Sequence, residues 1–226
     1  SKETPGTQCK NYVVAWSISI RAFNANLVTL YGSKPSELVE CINMIKSHFE
    51  GDKTIIYFHH LAYDWTFLRK FMLKEWGTPE NQLNIKSHYP LFVNFANGLL
   101  FRDSLILAQR KLEKWANDLE VEHRKAVGNW DYDKIRDQGG RFTPHEKTYI
   151  EHDTLAGVEC IYKTMKALHK CIYSMPYTAT GIPREEVRKK GKMHNAHERF
   201  LSRALTKEEQ HKMEDTYHGG FTHANR

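Results

Sequence analysis

The chain has 226 residues, 40% of them hydrophobic, which is enough to bury one good core and predicts one domain with an appendage. Its formal net charge of +6 favours a polyanionic partner, whereas the lack of a membrane-length apolar run or a signal peptide predicts no membrane partner. Four cysteines without C-x-x-C pairing or zinc-ligand spacing argue against a disulfide framework and predict reduced thiols in an intracellular protein.

The first part of the chain predicts a hairpin, a helix and a strand-helix unit. Strand-forming residues over 11–20 and 26–31 predict the hairpin, and apolar residues at helical spacing predict a helix over 36–49. A run of apolar, β-branched and aromatic residues predicts a buried strand over 54–59, which leads into a helix over 64–76.

The middle of the chain predicts a second hairpin. Residues 91–95 and 99–102 form its strands, because an Asn-Gly pair between them is typical of a tight turn. A helix over 111–119 follows, and the polar stretch over 120–142 is interpreted as a mobile loop.

A long helix is predicted from residue 143 to about residue 170. Thr143 as N-cap, Pro144 at the first helical position and Glu146 at the third form a capping box. The rest of the chain has a basic run over 184–192, and two short helices are predicted over 196–205 and 207–215. Charge runs of this kind are usually solvated faces.

Asp64 is the first candidate functional residue, because it follows a predicted buried strand. Ligands bind at the carboxyl ends of strands in open α/β sheets, and His59, His60 and Tyr63 stand beside this acid in the sequence. Taken alone, Asp64 is more simply interpreted as the cap of the helix that follows.

Asp153 is the second candidate, one helical turn after Tyr149. At positions i and i+4 the two side chains share one face of the long helix. A single aspartate at the edge of an apolar stripe is usually a solvated residue. Two acid sites with matching aromatic residues favour a function instead.

The segments around these acids resemble the exonuclease motifs of family B DNA polymerases. His60-Leu-Ala-Tyr63-Asp64 resembles the second motif, and Tyr149-Ile-Glu-His-Asp153 resembles the third, Tyr-x-x-x-Asp. With Arg102-Asp-Ser-Leu105 between them, the match is closest to the protein-primed branch of phages and linear plasmids. Tyr217-His-Gly219-Gly220 is similar to the Tyr-x-Gly-Gly element that joins exonuclease and polymerase domains in that branch.

The resemblance implies an α/β, ribonuclease H-like exonuclease fold of the DEDD superfamily, with a mixed sheet flanked by helices and a small helical, basic C-terminal extension. We expect a 3′–5′ exonuclease domain over 1–172, and a linker with the start of the polymerase domain over 173–226. The chain holds no polymerase catalytic motif, so we expect a fragment that cannot polymerise alone. Beside such a domain, phosphate contact by the basic run is as good an interpretation as a solvated face.

The chemistry that the resemblance implies is two-metal hydrolysis of single-stranded DNA. Two Mg²⁺ or Mn²⁺ ions need oxygen ligands, and the implied ligands are Glu3, Asp64 and Asp153. Tyr149 is expected to orient the water, and Lys125 to stabilise developing negative charge.

Family positions also imply a set of DNA contacts. The aromatic residues would stack on terminal bases, although each fits a core position equally well. The two glycines would let the backbone approach DNA closely, although a plain turn explains them too. The predicted DNA-binding residues are Thr4, Tyr57, His59, His60, Tyr63, Phe67, Ser104, Leu105, Tyr217, Gly219 and Gly220.

The chain departs from the family pattern in two motifs. The first motif is Asp-x-Glu in the family, whereas this chain has Ser1 two residues before Glu3. His60 stands where the second motif has Asn. Since one of four acids is lost, we predict low nuclease activity.

The resulting hypothesis is a proofreading exonuclease, expected in the cytoplasm of a host cell, with Mg²⁺ or Mn²⁺ as cofactor. Its expected partners are the primer 3′ end in single-stranded DNA, a terminal (priming) protein and the rest of the polymerase chain. One alternative is a degenerate nuclease fold that binds single-stranded DNA or the terminal protein. Another is a free-standing exonuclease, against which the basic tail and the Tyr-x-Gly-Gly element argue.

Overall fold

The chain divides into two compact units, Ser1–Ala179 and Thr180–Arg226. A computed structural model describes residues 12–21, 27–48, 53–124, 130–131, 134, 136–137, 139–193, 198–199 and 202–216. Among the helices of these ranges, none is long and apolar enough to cross a membrane.

The strands of the first unit form two sheets. They are β1 (Trp16–Arg21), β2 (Leu27–Gly32), β3 (Thr54–Phe58), β4 (Asn81–Lys86), β5 (Tyr89–Asn94) and β6 (Leu99–Asp103). The larger sheet has the order β3-β6-β5-β4, and β1 pairs with β2 as a separate antiparallel hairpin. Because β3 runs parallel to β6 while β5 is antiparallel to β6 and β4, the larger sheet is mixed.

The helices follow the strands closely along the chain. The first unit holds α1 (Pro35–His48), α2 (Leu61–Trp76), α3 (Ser104–Ala108), α4 (Leu112–Asp118), α5 (Pro144–Ala167) and a 3₁₀ helix (Ile172–Ser174). The second unit holds α6 (Gly181–Met193) and α7 (Lys207–Thr216).

Alternate residues of β3 pack into two different hydrophobic cores. Ile56 and Phe58 pack against a core built from α1, α2, β5 and β6, in which Phe101 is fully buried. Tyr57 points the other way, into a core built mainly from α4 and α5 around Trp115. Successive side chains of a strand point to opposite faces, so helices flank the sheet on both sides.

The predicted fold class is confirmed. The structure is a mixed α/β fold with a mixed sheet flanked by helices, and the first hairpin, the strand over 54–58 and the Asn-Gly hairpin all form. The helices predicted near 36–49, 111–119, 143–170 and 207–215 form with end shifts of a few residues.

β4 was not predicted from the sequence. All six of its residues are exposed, so the strand has no alternation of buried and exposed positions. Its apolar residues, Leu83 and Ile85, are 51% and 55% exposed. Pairing with β5 makes this segment a strand, and that pairing leaves no periodic signal in the sequence.

One predicted helix start is wrong, and a run predicted only to be basic is helical. α2 begins at Leu61 rather than at Asp64, and the basic run over 184–192 forms most of the helix α6. Pro183 lies in the first turn of α6, where its missing N–H breaks no helical hydrogen bond. Pairs of Glu and Lys four residues apart support the rest of that helix.

Candidate active site

One open groove of about 1580 Å³ in the first unit brings together all of the described residues predicted to act on DNA. Those residues are Tyr57, His59, His60, Tyr63, Asp64, Phe67, Ser104, Leu105, Tyr149 and Asp153. The other predicted site residues, Glu3, Thr4, Lys125, Tyr217, Gly219 and Gly220, lie outside the described residues.

Asp64 enters the groove from the first turn of α2. His60 is the N-cap residue and has a left-handed backbone with φ of 91°, and its carbonyl accepts hydrogen bonds from the backbone of Tyr63 and Asp64 at 3.0 and 3.5 Å. Asp64 therefore lies within the helix rather than at its cap, and the cap interpretation is wrong.

Asp103, and not Asp64, provides the side-chain hydrogen-bond acceptor at the start of α2, and it does the same for α3. Its Oδ2 accepts a hydrogen bond from the backbone N–H of Leu61 at 3.0 Å, at the start of α2. Its Oδ1 accepts from Leu105 and Ile106 at 2.7 and 3.3 Å, at the start of α3. One buried carboxylate thus fixes two helix starts at the edge of the sheet. The sequence marked Asp103 by its position after a predicted strand and by the Arg102-Asp-Ser-Leu105 resemblance, and neither signal predicted this capping role.

Asp103 also perturbs Asp64. Burial, followed by the nearby charge of Asp103, raises the pKa of Asp64 to about 7. Burial also raises the pKa of Asp103, against the lowering effect of its backbone hydrogen bonds. Oxygen donors are the ligands that Mg²⁺ and Mn²⁺ prefer, Asp64 and Asp153 both line the groove, and a cation beside them would favour their charged forms. The residues present therefore fit a divalent cation.

Asp153 and Tyr149 enter the groove from α5. The predicted capping box is present at the start of this helix, where Glu146 accepts a hydrogen bond from the Thr143 N–H at 2.8 Å. Ser17 of β1 donates to the carbonyl of Ile150 at 2.9 Å, which ties this stretch of α5 to the hairpin. Asp153 is half-buried and lines the groove, rather than standing on a solvated edge.

Trp130 is a groove residue that the sequence reasoning missed. Its ring lies 5.5 Å from the ring of Tyr149, and the guanidinium of Arg136 stacks over it at 4.2 Å. Trp130 falls in the stretch interpreted as a loop. That stretch has no periodic pattern from which its contact with Tyr149 could be predicted. Its packing restricts the ring of Tyr149, the phenol predicted to orient the water.

A row of rings runs from the groove residues His60, Tyr63 and Phe67 to Tyr89 of β5. Tyr63 is 62% exposed and lies 5.1 Å from Phe67, while His60 lies 6.1 Å from Tyr63 and 5.6 Å from Tyr89. Tyr89 was not predicted, because it precedes the apolar run from which its strand was recognised. An exposed ring such as that of Tyr63 can stack on a base.

Three other predicted DNA contacts have partners inside the protein. Ser104 is 3% exposed, donates to the Phe58 carbonyl at 3.1 Å and lies 3.1 Å from Nδ1 of His59. Tyr57 accepts a hydrogen bond from Arg102 at 3.3 Å, and burial raises the pKa of its phenol. These side chains therefore also connect β3 to β6.

Among the described residues, three with cationic side chains line the groove, namely Arg21, Lys53 and Lys111. Lys111 is exposed and directly precedes α4. It is a further candidate for contact with a phosphate, and nothing in its local sequence marked it. Lys125, the predicted cation, lies outside the described residues.

A separate group of possible metal ligands lies where the segment after α4 meets α5. Donor atoms of Glu122, His123 and Glu159 all lie within 4.8 Å of one another. The buried carboxylate of Glu159 accepts the His123 N–H at 3.0 Å and lies 2.9 Å from its Nδ1. The group contains none of the predicted metal ligands, and these bonds satisfy Glu159 without an ion.

The chain matches no protein-family model, and no curated protein sequence matches it. Solved structures of phi29 DNA polymerase do match. Phi29 DNA polymerase complexed with primer-template DNA and incoming nucleotide is similar with a TM-score of 0.64 and 16% identity, over 95% of this chain and 40% of that chain.

Two further complexes of that polymerase give the same result. The complex with single-stranded DNA has a TM-score of 0.58 at 16% identity, over 81% of this chain and 35% of that one. A binary complex with primer-template DNA has a TM-score of 0.53 at 17% identity, over 70% of this chain and 29% of that one. The chain thus spans well under half of the phi29 polymerase chains. At these identities the likeness is one of fold: this chain has a mixed α/β fold similar to that of part of phi29 DNA polymerase.

Proposed function

We propose that this chain is the 3′–5′ exonuclease portion of a protein-primed family B DNA polymerase, and that it removes nucleotides from single-stranded DNA 3′ ends during proofreading. The observation that carries the proposal is the groove in which Asp64, with its raised pKa, and Asp153 lie beside exposed aromatic rings. Acids for metal binding and rings for base stacking are the two requirements of such a site.

The reaction is the attack of water on the terminal phosphorus, with breakage of the P–O3′ bond. Asp64 and Asp153, with Glu3, are the residues that would hold the cations. When bound, divalent cations activate the water and stabilise the leaving oxygen. In our proposal Tyr149 contacts the attacking water, and packing against Trp130 restricts the orientation of its ring.

The strand itself would be held along the row of rings. Tyr63 offers an exposed face for a terminal base, the half-buried ring of Phe67 lies beside it, and Tyr89 of β5 continues the row. Lys111, at the wall of the groove, would attract a phosphate.

The wider context comes from the structural neighbours. Phi29 DNA polymerase has been seen with single-stranded DNA and with primer-template DNA, and the present fold corresponds to part of it. By our proposal the remaining partners are the rest of a polymerase chain and a terminal protein, and the cofactor is Mg²⁺ or Mn²⁺.

The test is the time course of degradation of 3′-labelled and 5′-labelled single-stranded oligonucleotides with Mg²⁺ or Mn²⁺. We expect release from the 3′ end, and a loss of about 100-fold or more in Asp64→Ala/Asp153→Ala, because the cations contribute several kcal/mol to the transition state. Glu40→Ala/Glu208→Ala, which removes two exposed carboxylates, is the matched control and should keep the rate. Ser1→Asp should increase it.

Release from the 5′ end, or equal rates in the two double variants, would overturn the proposal. Retained DNA binding with no metal-dependent release in the original chain or in Ser1→Asp would also overturn it, in favour of a degenerate fold that only binds DNA.

A further inference from the structure

The helix α6, in the second unit, carries a concentrated positive charge. Its 13 residues include five Lys or Arg and two Glu, and none of them is buried. The cationic residues are Arg184, Arg188, Lys189, Lys190 and Lys192.

Two of these five cations are already paired within the helix. Lys189 lies 3.1 Å from a carboxylate oxygen of Glu185, and Lys190 lies 2.7 Å from one of Glu186. Both are pairs at i and i+4, the spacing at which Glu before Lys is favourable. They use both acidic residues of α6.

The other three cations form one row, which we call the basic stripe: Arg184, Arg188 and Lys192. They stand at i, i+4 and i+8, and all three are exposed. Within the described part of the chain, no carboxylate contacts any of them. At a rise of 1.5 Å per residue, the stripe extends about 12 Å along one side of the helix.

A polyanion with closely spaced charges is the partner that fits such a row. One strand of DNA carries a phosphate about every 3.4 Å of axis, so the stripe spans about four phosphates. A membrane surface fits less well, because α6 has no aromatic residue and a helix lying on lipid needs a broad apolar face. The uniform spacing, and the lack of acidic partners among the residues that the structure describes, suit a contact that does not depend on sequence.

We propose that the basic stripe binds the phosphate backbone of the DNA on which the nuclease acts. The inference rests on the proposed function, since it takes DNA to be the substrate of the first unit. It adds a DNA contact in the second unit, outside the groove that holds Asp64 and Asp153.

The experiment measures the salt dependence of DNA binding by the full 226-residue chain. Asp64→Asn/Asp153→Asn serves as parent so that the DNA stays intact, and the probe is a 20-nucleotide single strand, with a 20-base-pair duplex in a second arm. Arg184→Gln/Arg188→Gln removes two charges of the stripe. Lys189→Gln/Lys190→Gln, the matched control, removes two charges that are paired with glutamates.

We expect the stripe variant to lower the slope of log K against log salt by about 1.4 on single strands, because each phosphate contact contributes about 0.7. Between 50 and 200 mM salt the variant should then lose about 7-fold less affinity than its parent. The control should keep the parent slope. An equal change in both variants would mean general charge rather than a site, and would overturn the inference, as would no change in either.

Two further measurements separate this inference from the proposed function. A chain with the stripe substitutions and an unchanged groove should hydrolyse a trinucleotide as fast as the original chain. If neither chain hydrolyses it, the proposed nuclease function is contradicted and the inference about DNA binding is not. Binding to vesicles containing phosphatidylserine should not distinguish the two variants. If the stripe variant lost vesicle binding but kept the parent's slope of log K against log salt for DNA, the stripe would be a lipid contact and the inference would be wrong.

Discussion

Asp64 is only partly ionised near neutral pH when no cation is bound. Burial disfavours the charged carboxylate, and Asp103 adds a second negative charge beside it, so the pKa of Asp64 rises from 3.8 to about 7. Asp103 cannot move away, because its oxygens hold the backbone N–H groups of α2 and α3. The cost of this arrangement is a carboxylate that destabilises the metal-free fold once it ionises.

This cost predicts a pH-dependent effect of Asp64→Asn in EDTA. Because the native pKa exceeds the unfolded one, the stability contribution of Asp64 is complete below about pH 4 and is lost as pH rises through 7. At about 1.4 kcal/mol per pKa unit, the loss is about 4 kcal/mol. Urea unfolding should find the variant more stable than the wild type at pH 8 and equal at pH 4.

The matched control is Glu40→Gln, which changes an exposed carboxylate on α1. It should leave the pH dependence of stability unchanged, and added Mn²⁺ should stabilise the wild type but not Asp64→Asn. An unfolding free energy of Asp64→Asn that falls between pH 4 and 8 as steeply as that of the wild type would contradict the account.

The start of α5 connects a cap to the candidate site. Glu146 is 5% exposed and accepts hydrogen bonds from the Thr143 backbone, from Arg136 at 2.8 Å and from Lys134 at 3.1 Å. The backbone bond first, then Arg136, lowers the pKa of Glu146 to about 2. The cap thereby attaches the segment before α5 to the helix that carries Tyr149.

We therefore expect Glu146→Ala to lower the free energy of unfolding by about 2 kcal/mol at pH 7, through loss of the capping box and of two charged hydrogen bonds. Glu146→Gln should cost less, because an amide oxygen can still accept from Thr143. In the wild type this contribution is complete above about pH 4.5 and is lost as pH falls towards 2. Urea unfolding at pH 7 and pH 3 measures it.

Glu151→Ala, on the same helix and outside the capping box, is the control for helix propensity. A loss of stability as large in Glu151→Ala as in Glu146→Ala would show that the cap has no special role.

At the scale of the whole molecule, both hydrophobic cores lie in the first unit. That unit continues past α5, because Arg102 of β6 is 4% exposed and donates to the carbonyls of Ile172 and Met175 at 3.2 and 3.3 Å. Its guanidinium also stacks on Tyr177 at 4.4 Å. The boundary after residue 172 stays a prediction, whereas the compact unit ends at Ala179.

A chain shortened to residues 1–179 should accordingly unfold cooperatively at a temperature within a few degrees of the full chain. It should keep the hydrolysis of short oligonucleotides and lose the salt-dependent binding assigned to the basic stripe. Circular dichroism melting and the binding titration test both. Loss of cooperative unfolding would contradict the independence of the first unit. In that case Arg102→Met in the full chain would test whether the contacts of Arg102 with residues 172–177 are needed for cooperative unfolding.

The sequence by itself determined the order of most elements and the placing of the two acids. Apolar periodicity is a local signal, so the strand over 54–58 and the helix α5 were predictable, as was the capping box of Thr143 and Glu146. The motifs around Asp64 and Asp153 pointed to one site although 89 residues separate them in the sequence.

Only the tertiary structure decided what surrounds those acids. β4 is a strand because β5 lies beside it, and Asp103 acts on Asp64 because two helix starts meet at one sheet edge. Tyr89 joins the row of rings through a contact with His60, which lies 29 positions earlier in the chain. Such relations depend on distances between elements that are remote in sequence, and local propensity carries no information about them.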